Sequence, residues 1–178
     1  MDIRYELDSK AFEQALAQAP EMIADELETA LLESCKILQG RARAVHRFKT
    51  RSGAIERSVM FETYRDESEA EVALDPRVAK HGIYQHTGTG KYGPKGKPYD
   101  IFPKNKKMLR FATSPGTARY RRAPYGRFHE GGVTFAYGVT HPGVKPDPFL
   151  YDAADATQGQ INSCFDRAVG RITASFGR

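Results

Sequence analysis

Thr140-His141-Pro142-Gly143-Val144-Lys145-Pro146-Asp147-Pro148-Phe149-Leu150 is the stretch on which the fold turns. Pro142, Pro146 and Pro148 fix φ and push the residues before them toward extended backbone. Upstream, Val133–Thr140 alternates in the manner of a strand. Downstream, Phe149, Leu150, Ala153, Ala154, Ile161, Phe165, Ala168, Val169 and Ile172 recur at helical spacing. A helix is therefore expected over 148–176, weakened by Gly159 and Gly170. Nothing in the phrase is an evident proton donor or phosphate cradle. His141, Pro142, Gly143, Pro146, Pro148 and Phe149 read as a rigid structural connector that sets the angle at which the last helix leaves the sheet.

Working back toward the N-terminus, residues 9–47 carry one apolar stripe: Phe12, Leu16, Ala19, Ile23, Leu27, Ala30, Leu31, Ser34, Leu38, Ala42 and Val45. Steps of three and four predict helix, capped by Asp8 or Ser9. Pro20 is expected to divide it into a short helix over about 10–18 and a longer one with the proline in its first turn. Arg41, Arg43, His46 and Arg47 suit the negative end of that helix. Thr50–Val59 reads as a turn into a strand. Val59–Tyr64 and Glu69–Leu74 read as a hairpin around 65–68. Further strands are expected around Ile83-Tyr84-Gln85, at 99–103, at 108–112 and at 133–140. Between them lie a Gly/Pro-rich loop at 86–98 and a long basic loop at 113–132.

The expected fold is α+β, in one domain over 1–178. It has helices in 9–47, a mostly antiparallel sheet of about five strands in 56–140, and a C-terminal helix, with the helices on one face of the sheet.

No run approaches the roughly 20 apolar residues of a membrane span, so no membrane partner is expected. Met1–Glu6 has no apolar core of the kind a secretory signal needs. Cys35 and Cys164, 129 positions apart, read as two buried thiols, with a disulfide as the alternative.

The net charge of +5 conceals a segregation. Residues 1–40 are net −6, residues 41–51 net +5, residues 52–87 net −3, residues 88–129 net +10 and residues 130–178 net −1. A block of +10 repels itself unless something answers it. The partner is a polyanion or an acidic protein surface, and the chain's own acidic N-terminal helix in a second copy is one such surface. Within the block Tyr92, Tyr99, Tyr120 and Tyr125 interleave with lysines and arginines, a composition suited to phosphates and exposed bases. Arg119, Arg121, Arg122 and Arg127 are the first choice for contact with DNA or a neighbouring protein. Lys104, Lys106 and Lys107 are the second.

Catalytic readings find less support. His81, His86, His129 and His141 lack the spacing of a metal site, and acidic residues are scarce around them. Gly88-Thr89-Gly90-Lys91 has glycines and a lysine but not the phosphate-loop pattern, and reads as a turn. Ser52, Ser58 and Ser114 stand in no nucleophile-elbow context. No cofactor, metal or catalytic residue is expected. The alternatives kept open are a small basic RNA- or DNA-cleaving enzyme or toxin using His86, His129 or His141, and a non-specific DNA-binding accessory protein.

Three segments, in order, resemble a family of tailed-bacteriophage minor structural proteins, the tail-completion, neck or head–tail joining proteins. They are Thr50-Arg51-Ser52-Gly53-Ala54-Ile55-Glu56-Arg57-Ser58-Val59 after a long helix, Tyr84-Gln85-His86-Thr87-Gly88-Thr89-Gly90, and His141-Pro142-Gly143-Val144-Lys145-Pro146-Asp147-Pro148-Phe149-Leu150-Tyr151-Asp152-Ala153. Ser52 intervenes in the first, and Gln85 or His86 stands where an acidic residue is common in the second. The resemblance implies a non-enzymatic virion protein at the head–tail junction, assembled in the bacterial host cytoplasm. It implies a homo-oligomeric closed ring, of six or twelve copies, joined head to tail. Its partners would be adjacent neck, connector and tail-terminator proteins, with genomic double-stranded DNA met without sequence preference in the channel.

Overall fold

The computed structural model of the chain describes residues 10–112, 127–130 and 132–176. In order, the elements are α1 (Lys10–Ala44), α2 (Ala54–Ser58), β1 (Val59–Tyr64), β2 (Glu69–Leu74), α3 (Gly82–Thr87), β3 (Tyr99–Ile101), β4 (Leu109–Ala112), β5 (Arg127–Glu130), β6 (Val133–Ala136), β7 (Val139–His141) and α4 (Phe149–Phe176). The class is α+β, with antiparallel pairing throughout. The chain divides into two compact units. Unit 1 is 1–46, 51–78 and 149–178; unit 2 is 47–50 and 79–148.

Unit 1 is built on α1 and α4. Ala30, Cys164 and Ala168 are buried where the two helices meet, with Ile37 and Phe165 packed against them. Small side chains at these positions let the helix backbones approach closely. Arg167 binds Glu33 at 2.7 Å and Arg171 binds Glu26 at 2.6 Å, tying the same pair of helices at its rim. Both cysteines are free and buried, and burial pushes the Cys35 thiol up. Helix α1 also covers the β1–β2 hairpin, whose register runs from Val59 opposite Leu74 to Tyr64 opposite Glu69. Gln39 and Arg43 side chains both donate to the Val59 carbonyl, at 2.8 and 2.7 Å. The basic last turn of α1 thus anchors the first strand.

Two expectations for unit 1 are corrected. Helix α1 is continuous through Pro20. An interior proline forfeits one helical hydrogen bond and costs about 3 kcal/mol or more, which the long packing of α1 on α4 and the hairpin offsets. The turn expected before β1 contains α2, opened by Gly53 at φ +67 and closed by buried Ser58, whose hydroxyl donates to the Ile55 carbonyl at 2.6 Å.

Unit 2 holds β3 paired with β7, and a three-stranded sheet in the order β4–β6–β5. The single sheet of about five strands is therefore replaced by three small sheets, counting the hairpin of unit 1. The expected strand over 133–140 is two strands in different sheets. Pairing passes from β4 to β3 at Tyr137-Gly138, where glycine gives a strand nothing to pack. Ile83-Tyr84-Gln85 is helical: the Gln85 amide donates to the His81 carbonyl at 3.0 Å, and the Thr87 hydroxyl to the Ile83 carbonyl at 2.8 Å. Ile83 and Tyr84 face outward, and His86 is buried. The Gly/Pro-rich loop after it holds a 3-10 turn, Gly90–Tyr92. Residues 127–130, expected in the long loop, form β5, with Glu130 opposite Val133.

Candidate functional site

The site lies in unit 2, where two segments far apart in sequence run alongside each other. The Thr89 amide donates to the Val144 carbonyl at 2.9 Å, and the Lys91 amide to the Pro142 carbonyl at 2.7 Å. The Asp147 amide donates to the Gln85 carbonyl at 3.0 Å, and the Val144 amide to the Thr89 hydroxyl at 3.0 Å. Glycine is required at the crossing. Gly143 sits at φ +102, and a Cβ there would stand 1.9 Å from the Thr89 carbonyl oxygen. Gly90, at φ +61, would meet the Pro142 oxygen at 2.6 Å. Pro142 has a backbone acceptor only, and the facing Lys91 amide supplies its donor.

His141 closes one end. Its Nδ1 accepts from the Gly143 amide at 2.9 Å, and its ring stacks on Tyr99 at 5.3 Å between centroids. Asp147 closes the other. It is 3% exposed, and its Oδ2 accepts from the amides of Arg47 at 2.5 Å and Phe48 at 2.9 Å. Its Oδ1 has no hydrogen-bond donor and lies 3.9 Å from Arg47 Nε. An aspartate between two prolines thus fixes the chain where it leaves α1.

Beside this strut is a cleft of about 540 Å³, walled by Arg47, Phe48, Gln85, Tyr92 and residues 142–147. Lys91 Nζ and Lys145 Nζ each lie 5.9 Å from the centre of the Tyr92 ring.

The residues expected to make contact fall in three places. Lys104, Lys106 and Lys107 are exposed on the β3–β4 connection. Arg127 is in β5, opposite Ala136. Arg119, Arg121 and Arg122 lie outside the described residues. The connector residues come together as a unit of backbone: Pro142 accepts from Lys91, Gly143 abuts Thr89, and Pro146 lies 3.0 Å from where a Cβ on Gly88 would stand. Pro148 is half-buried and Phe149, at the start of α4, is 1% exposed. Sequence reasoning missed the Tyr92 cleft and the Asp147 latch. The latch joins residues 100 apart, and its one local signal is a carboxylate trapped between prolines.

The same geometry bears on the catalytic alternatives. The Thr89 and Lys91 amides are spent on carbonyls, so Gly88–Lys91 is a crossing and not a phosphate cradle. His141 is held by a backbone amide and a ring stack, and His129 lies in β5, opposite Thr134. Among the described residues no three His, Cys, Asp or Glu side chains are grouped to hold a metal, and no helix is long and apolar enough to cross a membrane. Compared with known protein families, with curated proteins and with solved structures, the chain matches none.

Proposed function

We propose that the chain is a structural protein of a tailed-phage virion, part of a neck or tail-completion ring that joins capsid to tail and helps form the DNA channel. The observation that carries the reading is the strut. Two of the three segments behind the resemblance, Tyr84–Gly90 and His141–Ala153, are hydrogen-bonded to each other over 85–91 and 142–147. Their glycines and prolines serve a backbone crossing and present no paired acid, base or nucleophile. A segment pattern that serves shape suits a subunit whose task is assembly.

Charge supports the same reading. Unit 2 carries 15 basic and 3 acidic residues, net +12, and unit 1 carries 12 and 19, net −7. Alternation of charge suits head-to-tail contacts that close a ring, and a basic surface suits a channel that passes DNA of any sequence. The nucleic-acid-cleaving alternative is served less well, because His141 is engaged by Gly143 and Tyr99. Reversing Arg121 and Arg122 to Glu is expected to abolish head–tail joining and infectivity in a phage complementation assay while the purified protein keeps its helical circular dichroism. Wild-type titre from that double variant refutes the assignment of these arginines to joining.

A further inference from the structure

The surplus charge identifies its partner by arithmetic. In unit 1 four arginines are spent on the unit's own acids: Arg65 binds Asp25 and Glu28, Arg77 binds Asp75, Arg167 binds Glu33 and Arg171 binds Glu26. Four carboxylates of the acidic helix α1 are thereby answered within the same copy. In unit 2 the described lysines, Lys91, Lys95, Lys97 and Lys145 among them, make no ion pair. Even if every unit 1 docked on a unit 2 of another copy, +5 per copy would remain. Self-association therefore leaves part of the charge of unit 2 unanswered, and an external anionic partner can meet it.

The Tyr92 cleft is where the unit holds cations together. Lys145 lines the cleft and Lys91 lies beside the same Tyr92 ring, which places their ammonium groups within about 12 Å of each other. Their backbones are pinned on opposite sides of the strut, Lys91 by its amide on Pro142 and Lys145 between Val144 and Pro146. The nearby carboxylate, Asp147, is already saturated on one oxygen by two amides and faced on the other by Arg47, so it does not compete for the lysines. Two confined like charges repel, and an anion between them relieves the repulsion.

We infer that a phosphodiester of the duplex DNA backbone sits at the Tyr92 cleft, between Lys145 on its wall and Lys91 beside the Tyr92 ring, with Arg47 also at the wall. Only the place where duplex is met, the channel, rests on the function proposed above; the binding itself rests on these charges.

The test uses the purified full chain and a fluorescent random-sequence DNA duplex, with affinity measured by anisotropy from about 50 to 200 mM salt. Each phosphate contact contributes about 0.9 to the slope of log affinity against log salt. The Lys91→Ala/Lys145→Ala variant, which loses the one seated phosphate, is expected to flatten the slope by about 0.9, and Lys91→Arg/Lys145→Arg to retain it. Lys95→Ala/Lys97→Ala, also exposed but outside the cleft, is expected to leave the slope nearly unchanged. Equal losses from the two alanine pairs, or no duplex binding by the unaltered chain at about 50 mM salt, overturn the inference. Competition by inorganic phosphate at concentrations that leave ionic strength unchanged would assign the cleft to free phosphate and likewise overturn it. Failure here with the chain still found at the head–tail junction separates this inference from the function proposed; binding with the chain absent from virions separates them the other way.

Discussion

Replacing Gly143 by alanine is the sharpest test of the strut. The new methyl would lie 1.9 Å from the Thr89 oxygen, 2.6 Å from the Thr89 carbonyl carbon and 2.8 Å from Gly90 Cα, all backbone atoms with no side chain to swing away. Relief requires the two segments to part by more than an ångström, which breaks the 2.7 Å and 2.9 Å bonds from Lys91 and Thr89. Two such bonds are worth about 1–3 kcal/mol together. Holding an L-residue at φ +102 costs about 1–3 kcal/mol more. The total is about 2–6 kcal/mol, before an offset of about 0.4–1 kcal/mol from stiffening the unfolded chain. Gly96→Ala is the matched control: φ is +61 and nothing lies within 4 Å of its Cβ. It carries a conformational cost of about 1–2 kcal/mol without the clash, and the same offset. Urea unfolding followed by near-ultraviolet circular dichroism is expected to show Gly143→Ala as the less stable variant by about 1–4 kcal/mol, and amide exchange at Thr89 and Lys91 to speed up in it alone. Stabilities equal within about 0.5 kcal/mol would refute the close crossing.

Asp147→Ala leaves the amides of Arg47 and Phe48 without their acceptor and is expected to cost about 3–5 kcal/mol in the same unfolding assay, with a loss under about 1 kcal/mol counting against the latch. The Arg167 guanidinium hydrogen-bonded to Glu33 holds that carboxyl below its ordinary value. A depressed folded-state pKa contributes stability above the ordinary glutamate range, lost as pH falls through the folded value. The stability difference between the unaltered protein and Glu33→Gln is therefore expected to be constant at neutral pH and to shrink in acid, starting near the ordinary carboxyl value of 4.5. A difference that grows in acid would contradict the pairing.

Legibility in the sequence followed the range of the interactions. The β1–β2 hairpin was readable because alternation and a polar turn at 65–68 are local, and α4 because its stripe is long. Pro20 misled because a local cost was outweighed by packing of the whole helix on α4. Ile83-Tyr84-Gln85 is too short a run for periodicity to separate strand from helix turn. Strand β5 carried a local signal, Gly131-Gly132 before an alternating run, with Gly132 at φ +75, but the basic composition around it pointed to a loop. For the site, proline spacing announced a rigid connector. Its partner was not announced, since the register of 85–91 against 142–147 is set by backbone bonds, which leave no side-chain signature of the partner segment. The Tyr92 cleft follows from that register and so was invisible with it.

Immunogold electron microscopy of intact virions, with serum raised against this chain, tests the central claim most directly. The account predicts label at the head–tail junction. Virions, intact and partly disassembled, that carry no label would contradict it.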